Sequence, residues 1–154
     1  MERKYSNNIK NFKPKKNSKY HQGYVNPKLT TKLFTTAKNE PIIYRSGLEL
    51  KFIQFCESNP KIKKWASEPI AIDYFSRLDN KECHYYPDYI IETSEGAHII
   101  VEIKPYQQTI KPAAEDSRWS KEQWIKNTDK WKAANEFAHN HNAKFIIITE
   151  KFFE

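Results

Sequence analysis

Three residues in this chain are of types that together can act on a phosphate: Asp88, Glu102 and Lys104. Asp88 follows Tyr86-Pro87, and Glu102-Ile103-Lys104 closes the apolar run Ile99-Ile100-Val101. Between them, Ser94-Glu95-Gly96 suits a hairpin turn with φ > 0 at the glycine. If the turn is centred on Glu95, residues whose numbers sum to 190 face each other, and Asp88 and Glu102 are such a pair. Directly opposed side chains have Cβ atoms about 4.5–5.5 Å apart. Two carboxylates that close repel unless a cation lies between them. Side chains on a strand share a face at every second residue, so Lys104 stands beside Glu102. This register predicts a point where two carboxylates hold a hard cation and one ammonium faces a phosphate. A slip of one residue would break it.

Oxygen donors with open positions suit Mg2+ or Mn2+. Such an ion activates water and stabilises the crowded charge of an in-line phosphoryl displacement. Lys104 would position or help deprotonate that water, or balance developing negative charge. Carboxylate–lysine pairs are also common on hairpin surfaces. Here, however, Glu102 and Lys104 interrupt the end of an apolar strand that reads as central, where charge is costly unless paired or ligating.

The positioning elements follow from pattern. Ser46 suits an N-cap, and Ser46-Gly47-Leu48-Glu49 has capping-box spacing. Leu48, Phe52, Ile53, Phe55 and Cys56 then form an apolar helical face, which Asn59-Pro60 ends. Ile70 to Phe75, Cys83 to Thr93 and Ala97 to Lys104 read as three antiparallel strands, the first two joined through the polar Leu78-Asp79-Asn80-Lys81. Pro105 to Ser117 is a long polar loop, of the kind that is often functional. Ser120 to about Asn140 reads as a helix with Trp124, Thr128, Trp131, Ala134 and Ala138 on one stripe, and Phe145-Ile146-Ile147-Ile148 as a last buried strand. The order predicts an α/β fold, α-β-β-β-α-β, with a central mixed sheet flanked by helices over residues 41–154.

Bulk properties agree. A chain of 154 residues fits one domain. No run approaches the ~20 apolar residues of a membrane span, so no membrane partner is expected. The basic N-terminus lacks the apolar stretch of a secretory signal. Cys56 and Cys83 read as reduced and structural. The net charge is +7, and residues 1–40 hold ten Lys/Arg against Glu2 and Glu40, a balance of +8 that leaves 41–154 at −1. A basic arm on a near-neutral body is the footprint of a polyanion binder. Tyr5, Phe12, Tyr20, His21 and Tyr24 on the arm are able to stack on bases. Candidate contacts to a nucleic acid are Lys13, Lys15, Lys16 and Lys19 on the arm, with Arg45, Lys130 and Lys132. Cys83-His84 has no recognisable zinc spacing with His98 or Cys56. Trp119, just after the long loop, is a further candidate for touching nucleic acid.

Asp88 after Pro87, then Glu102-x-Lys104 within this order of elements, resembles the PD-(D/E)XK nuclease superfamily, whose fold is restriction-endonuclease-like. Tyr44-Arg45-Ser46-x-x-Glu49, Trp65-x-x-Glu68, Tyr86-Pro87-Asp88, Glu102-Ile103-Lys104-Pro105, Lys130-Trp131-Lys132-Ala133-Ala134 and Ile148-Thr149-Glu150-Lys151 are similar to the head-completion nucleases of T4-like tailed phages, over nearly the whole chain. The core is also similar to TnsA-type transposon endonucleases. Where the superfamily's exonuclease branch shows Gln-x-x-x-Tyr, this chain has Gln123-x-x-x-Asn127, which weighs against close kinship with RecB-type enzymes.

The resemblance implies a Mg2+- or Mn2+-dependent DNA endonuclease with little sequence preference. Asp88 and Glu102 would be metal ligands, the Ile103 carbonyl a third, Lys104 the catalytic lysine, and Glu49 the completion of the acidic cluster. Glu49 also has the capping-box position and can be read as a helix cap alone. The implied setting is phage head completion after DNA packaging and before tail joining, in the host cytoplasm and on the virion head or neck, with portal, neck or other head-completion proteins as partners. The alternatives are a non-catalytic DNA-end-binding head or neck protein that keeps the fold, and a TnsA-like transposon endonuclease.

Overall fold

The computed structural model describes residues 23–25 and 42–154. Strand β1 (Gly23–Val25) pairs antiparallel with β2 (Ile42–Tyr44). Helix α1 (Gly47–Ser58) follows, then β3 (Ile62–Ser67), the hairpin β4 (Ile72–Ser76) and β5 (Lys81–Tyr85), β6 (Tyr89–Thr93), β7 (His98–Ile103), α2 (Arg118–Asn140) and β8 (Ala143–Ile148). The main sheet has the order β3-β6-β7-β8, with β8 parallel to β7 and the other pairs antiparallel. Strands β4 and β5 form a separate two-stranded sheet.

Side-chain alternation divides the core. Tyr89, Ile91, Val101 and Ile103 pack on one face with Phe52, Ile53 and Cys56 of α1. Ile90 and Ile100 pack on the other face with Ala134 and Ala138 of α2 and with Ile72, Tyr74 and Tyr85 of the hairpin. The small alanines let α2 lie close to the sheet. Strand β7 is interior, with Ile100 and Val101 fully buried, as its unbroken apolar run predicts.

Three expectations need correction. Cys83 to Thr93 is not one strand: Tyr86-Pro87-Asp88 divides it, so β5 pairs with β4 while β6 joins the main sheet. Pro87 has no N–H for a ladder and restrains the residue before it, which suits a change of sheet. The first strand of the main sheet is β3 rather than Ile70 to Phe75. Lys63 and Lys64 mask the period of β3, and lysines on an edge strand deter pairing with other chains. Finally, β8 is an edge strand with only Ile148 buried, because an apolar run alone does not reveal which face is covered.

Within residues 1–40, Gly23–Val25 form the short strand β1. A Cβ at Gly23 would lie 2.7 Å from Cζ of Tyr44, so a larger residue there would displace that ring. Gly96 turns β6 into β7 at φ +87, as its place in the sequence predicts.

Candidate active site

The β6–β7 ladder pairs Tyr89 with Val101 and Ile90 with Ile100, the register that puts Asp88 beside Glu102. Asp88 lies just outside β6, and its carboxylate accepts the Ile103 N–H at 2.7 Å. Its backbone carbonyl accepts the Glu68 N–H at 2.8 Å. Glu102 is buried, accepts the Tyr85 hydroxyl at Oε2, and has Oε1 3.8 Å from Nζ of Lys104. The Lys104 N–H donates to the Ile148 carbonyl at 3.0 Å, so β8 holds the end of β7 in place.

Helix α1 brings Glu49 to the same cleft. Oγ of Ser46 accepts the Glu49 N–H at 3.1 Å, which is half of a capping box. The other half is displaced by one residue, because the Glu49 carboxylate accepts the Arg45 N–H rather than that of Ser46. Glu49 therefore helps cap the helix while remaining a buried member of the acidic group.

Charge balance dominates the electrostatics. Burial pushes the Glu49, Asp88 and Glu102 carboxyls above their ordinary values. Repulsion from Glu102 and Glu49 adds to the rise at Asp88, the largest of the three. At Glu102, Lys104, the Tyr85 hydroxyl and Lys130 pull the other way. Burial lowers Lys130, with Glu102 opposing, and its Nζ lies 5.6 Å from the centre of the Tyr85 ring. Arg45 forms an ion pair with Glu68. Burial would lower the guanidinium, but Glu68, Glu49 and Asp88 outweigh it and hold Arg45 above its usual value.

Glu68 has φ +43, a left-handed conformation that a side chain makes costly. One of its carboxylate oxygens is buried without a hydrogen-bond partner. The strained residue is therefore joined to the site twice, through its N–H to Asp88 and its carboxylate to Arg45.

Arg45, Glu49, Asp88, Glu102, Ile103 and Lys104, with Gln108, line an open cleft of about 360 Å³. Asp88 and Glu102 are the neighbouring oxygen donors able to hold a divalent cation. Among the described residues, no three His, Cys, Asp or Glu side chains form a ready-made metal cage. Mg2+ commonly takes one or two carboxylates and keeps several waters. A donor set whose carboxyls would otherwise take up protons fits such a cation.

Arg45 lines the cleft wall, with Nη1 engaged by Glu68 and its side chain 33% exposed. Lys130 faces Tyr85, whereas Lys132 lines another groove, between the hairpin and α2. Lys13, Lys15, Lys16 and Lys19 lie outside the described residues. Sequence reasoning missed Tyr85, which adjoins the Tyr86-Pro87-Asp88 motif, and gave no role to Glu68, although it ends the Trp65-x-x-Glu68 motif. It also missed the clamp on the loop after Lys104: the Glu150 carboxylate accepts the Tyr106 N–H at 2.9 Å, and Nζ of Lys151 sits 3.4 Å over the Tyr106 ring.

No helix among the described residues is long and apolar enough to cross a membrane. The family described as TnsA-like endonuclease N terminal matches residues 59–150, from the approach to β3 to just past β8. The head completion nuclease of Enterobacteria phage T4 is 39% identical over 118 residues, covering 71% of this chain and 79% of that protein. The match to the family spans the whole main sheet, on which Asp88 and Glu102-Ile103-Lys104 sit at adjoining strand ends, and the chain therefore belongs to the TnsA-like family of DNA endonucleases, with a restriction-endonuclease-like fold.

Proposed function

We propose that this endonuclease is Mg2+-dependent and completes the head of a tailed phage, after DNA packaging and before tail joining. The observation that carries the chemistry is the adjacency of Asp88 and Glu102, with Lys104 on the same strand end. The observation that carries the setting is the 39% identity to the phage T4 head completion nuclease.

Asp88 and Glu102, with the Ile103 carbonyl, would hold Mg2+ or Mn2+, and Glu49 would complete the acidic cluster. The bound ion supplies Lewis-acid polarisation of the scissile phosphate and a lowered pKa for water. Lys104 puts a positive charge at the cleft wall, where it offsets negative charge that grows on the phosphate. Tyr85 fixes one Glu102 oxygen, and Arg45 limits the repulsion within the acidic group. The basic arm supplies contacts to the DNA backbone that carry little sequence information.

On this reading the partners are double-stranded DNA and portal, neck or other head-completion proteins. The protein acts in the host cytoplasm and remains with the filled head. The TnsA-like match favours a transposon-type endonuclease as second reading, but an alignment at 39% identity that covers 79% of the phage protein favours the first. The experiment is deletion of the gene from its phage. Filled heads that fail to join tails productively, or that deliver damaged DNA ends, are expected, with the protein found in purified wild-type virions by mass spectrometry. Normal, fully infectious particles from the deletion would remove the head-completion role and leave the nuclease chemistry standing.

A further inference from the structure

A second groove lies beside the active cleft. It runs between the 3-10 turn Tyr106–Thr109 and the first turns of α2, has a volume of about 100 Å³, and shares Gln108 with the cleft. Asn127 lines it, 6% exposed, with an amide that makes no hydrogen bond among the described residues. An amide that opens into the groove with its hydrogen-bonding capacity unused can pair with a ligand that offers both a donor and an acceptor. Trp119, Gln123 and Asn127 follow one another at intervals of four on one face of α2. Trp119 is 67% exposed, and Ile110 and Trp124 complete the apolar wall.

The lining has no carboxylate, lysine or arginine, so it is not made for a phosphate or a metal. It offers aromatic faces together with amides that can both donate and accept. That combination suits a heterocycle: amide side chains pair with base edges, and aromatic rings stack on base faces. The volume is enough for one planar ring and too small for a base pair.

The geometry points to this groove as the seat of one unstacked nucleobase of the DNA in the active cleft, its face on Trp119 and its edge on Asn127 and Gln123. The inference rests on the nuclease reading, since Gln108 joins the groove to the cleft. Drawing a base out of a duplex has a cost that stacking and edge contacts offset, and the cost is least where the base is already unpaired.

The test compares two short duplexes, each with one extra unpaired nucleotide moved through successive positions. In one it is thymidine, in the other an abasic residue. Both deform the duplex, but only one presents a base. Binding is measured by fluorescence anisotropy in EDTA, and cleavage of a fully paired duplex in Mg2+ is followed alongside. At one position the thymidine bulge should bind about tenfold more tightly than the abasic bulge, as expected for one stacked base. Trp119→Ala, at an exposed site, should abolish the difference while Trp119→Phe keeps most of it, and Asn127→Ala should reduce it. Equal affinities at every position, or a preference that survives Trp119→Ala, would overturn the base site and leave the nuclease reading intact. Failure of the wild type to cut paired DNA would be the failure of the nuclease reading itself, and the inference would fall with it.

Discussion

The carboxylate of Asp88 accepts the backbone N–H of Ile103 at 2.7 Å, and Ile103 is the residue between Glu102 and Lys104. The bond lies beyond the last β6–β7 ladder pair, Tyr89 with Val101, and joins the motif's separated halves. It favours a charged Asp88, yet burial and the neighbouring acids outweigh it and leave the carboxyl well above its ordinary value. The backbone thus fixes the position of Asp88 beside Glu102, while burial and the neighbouring acids disfavour its charged form.

The Tyr85 hydroxyl holds one oxygen of Glu102 from the neighbouring hairpin. Tyr85→Phe keeps the ring and removes the donor. Groups that orient metal ligands typically contribute 10–100-fold to metal affinity or activity. The variant should need about tenfold more Mg2+ for half-maximal plasmid nicking, with its melting temperature little changed. Identical Mg2+ curves would reduce Tyr85 to a packing role.

The Arg45–Glu68 pair should be asymmetric. Arg45→Ala leaves Glu68, whose side chain is 10% exposed, as a buried charge without its cation. Glu68→Ala leaves Arg45, whose side chain is 33% exposed, with water and the nearby acids. Breaking a fully buried pair costs about 3–5 kcal/mol, and partial exposure reduces this, so about 2 kcal/mol is expected for Arg45→Ala and less for Glu68→Ala. Urea denaturation of both variants checks the order. A larger loss for Glu68→Ala would show that its backbone link to Asp88 matters more than the charge.

Without metal, folding stability should fall with rising pH. Glu49, Asp88 and Glu102 hold protons more tightly folded than unfolded. Their contribution is complete below the unfolded carboxylate values near ~4 and is lost as pH climbs through the raised folded values. Asp88→Asn removes the most strongly raised group and keeps an acceptor for Ile103. In EDTA, the variant should melt above the wild type at pH 8, with the gap closing toward pH 4. A gap independent of pH would show that the carboxylates are already compensated.

Residues 1–22 carry seven Lys/Arg and precede β1, so their deletion spares the β1–β2 pair. If about four of the seven touch phosphates, the slope of log affinity against log salt should flatten by about 3–4 units, at ~0.9 per contact. Anisotropy titrations at several salt concentrations measure it. An unchanged slope would assign the arm to a protein partner.

The register of the site was legible in the sequence because Gly96 pins the turn and the alternation of β6 and β7 tolerates no slip. The interior place of β7 was legible in Ile99-Ile100-Val101. Strand β3 was hidden by Lys63 and Lys64, which lie on an edge and obey no core pattern. The break at Pro87 was misread because β-forming residues continue on both sides of it. Tyr85, Glu68 and Glu150 reach the site or its loop from other elements through contacts that no local periodicity encodes. Asn127 was noted only as a departure from another family's motif, and its place in the groove is a property of the packed structure.

The most direct test is nicking of supercoiled plasmid by wild type, Glu102→Gln and Lys104→Ala, each with and without Mg2+, with DNA binding measured in parallel. The wild type should cut only with the metal. Both variants should bind DNA nearly as well and cut at least ~10²-fold more slowly, the lower range for a lost acid–base or charge-stabilising group. Mg2+-independent cutting by the wild type, or a wild-type rate from Glu102→Gln, would contradict the assignment of this cleft as the catalytic centre.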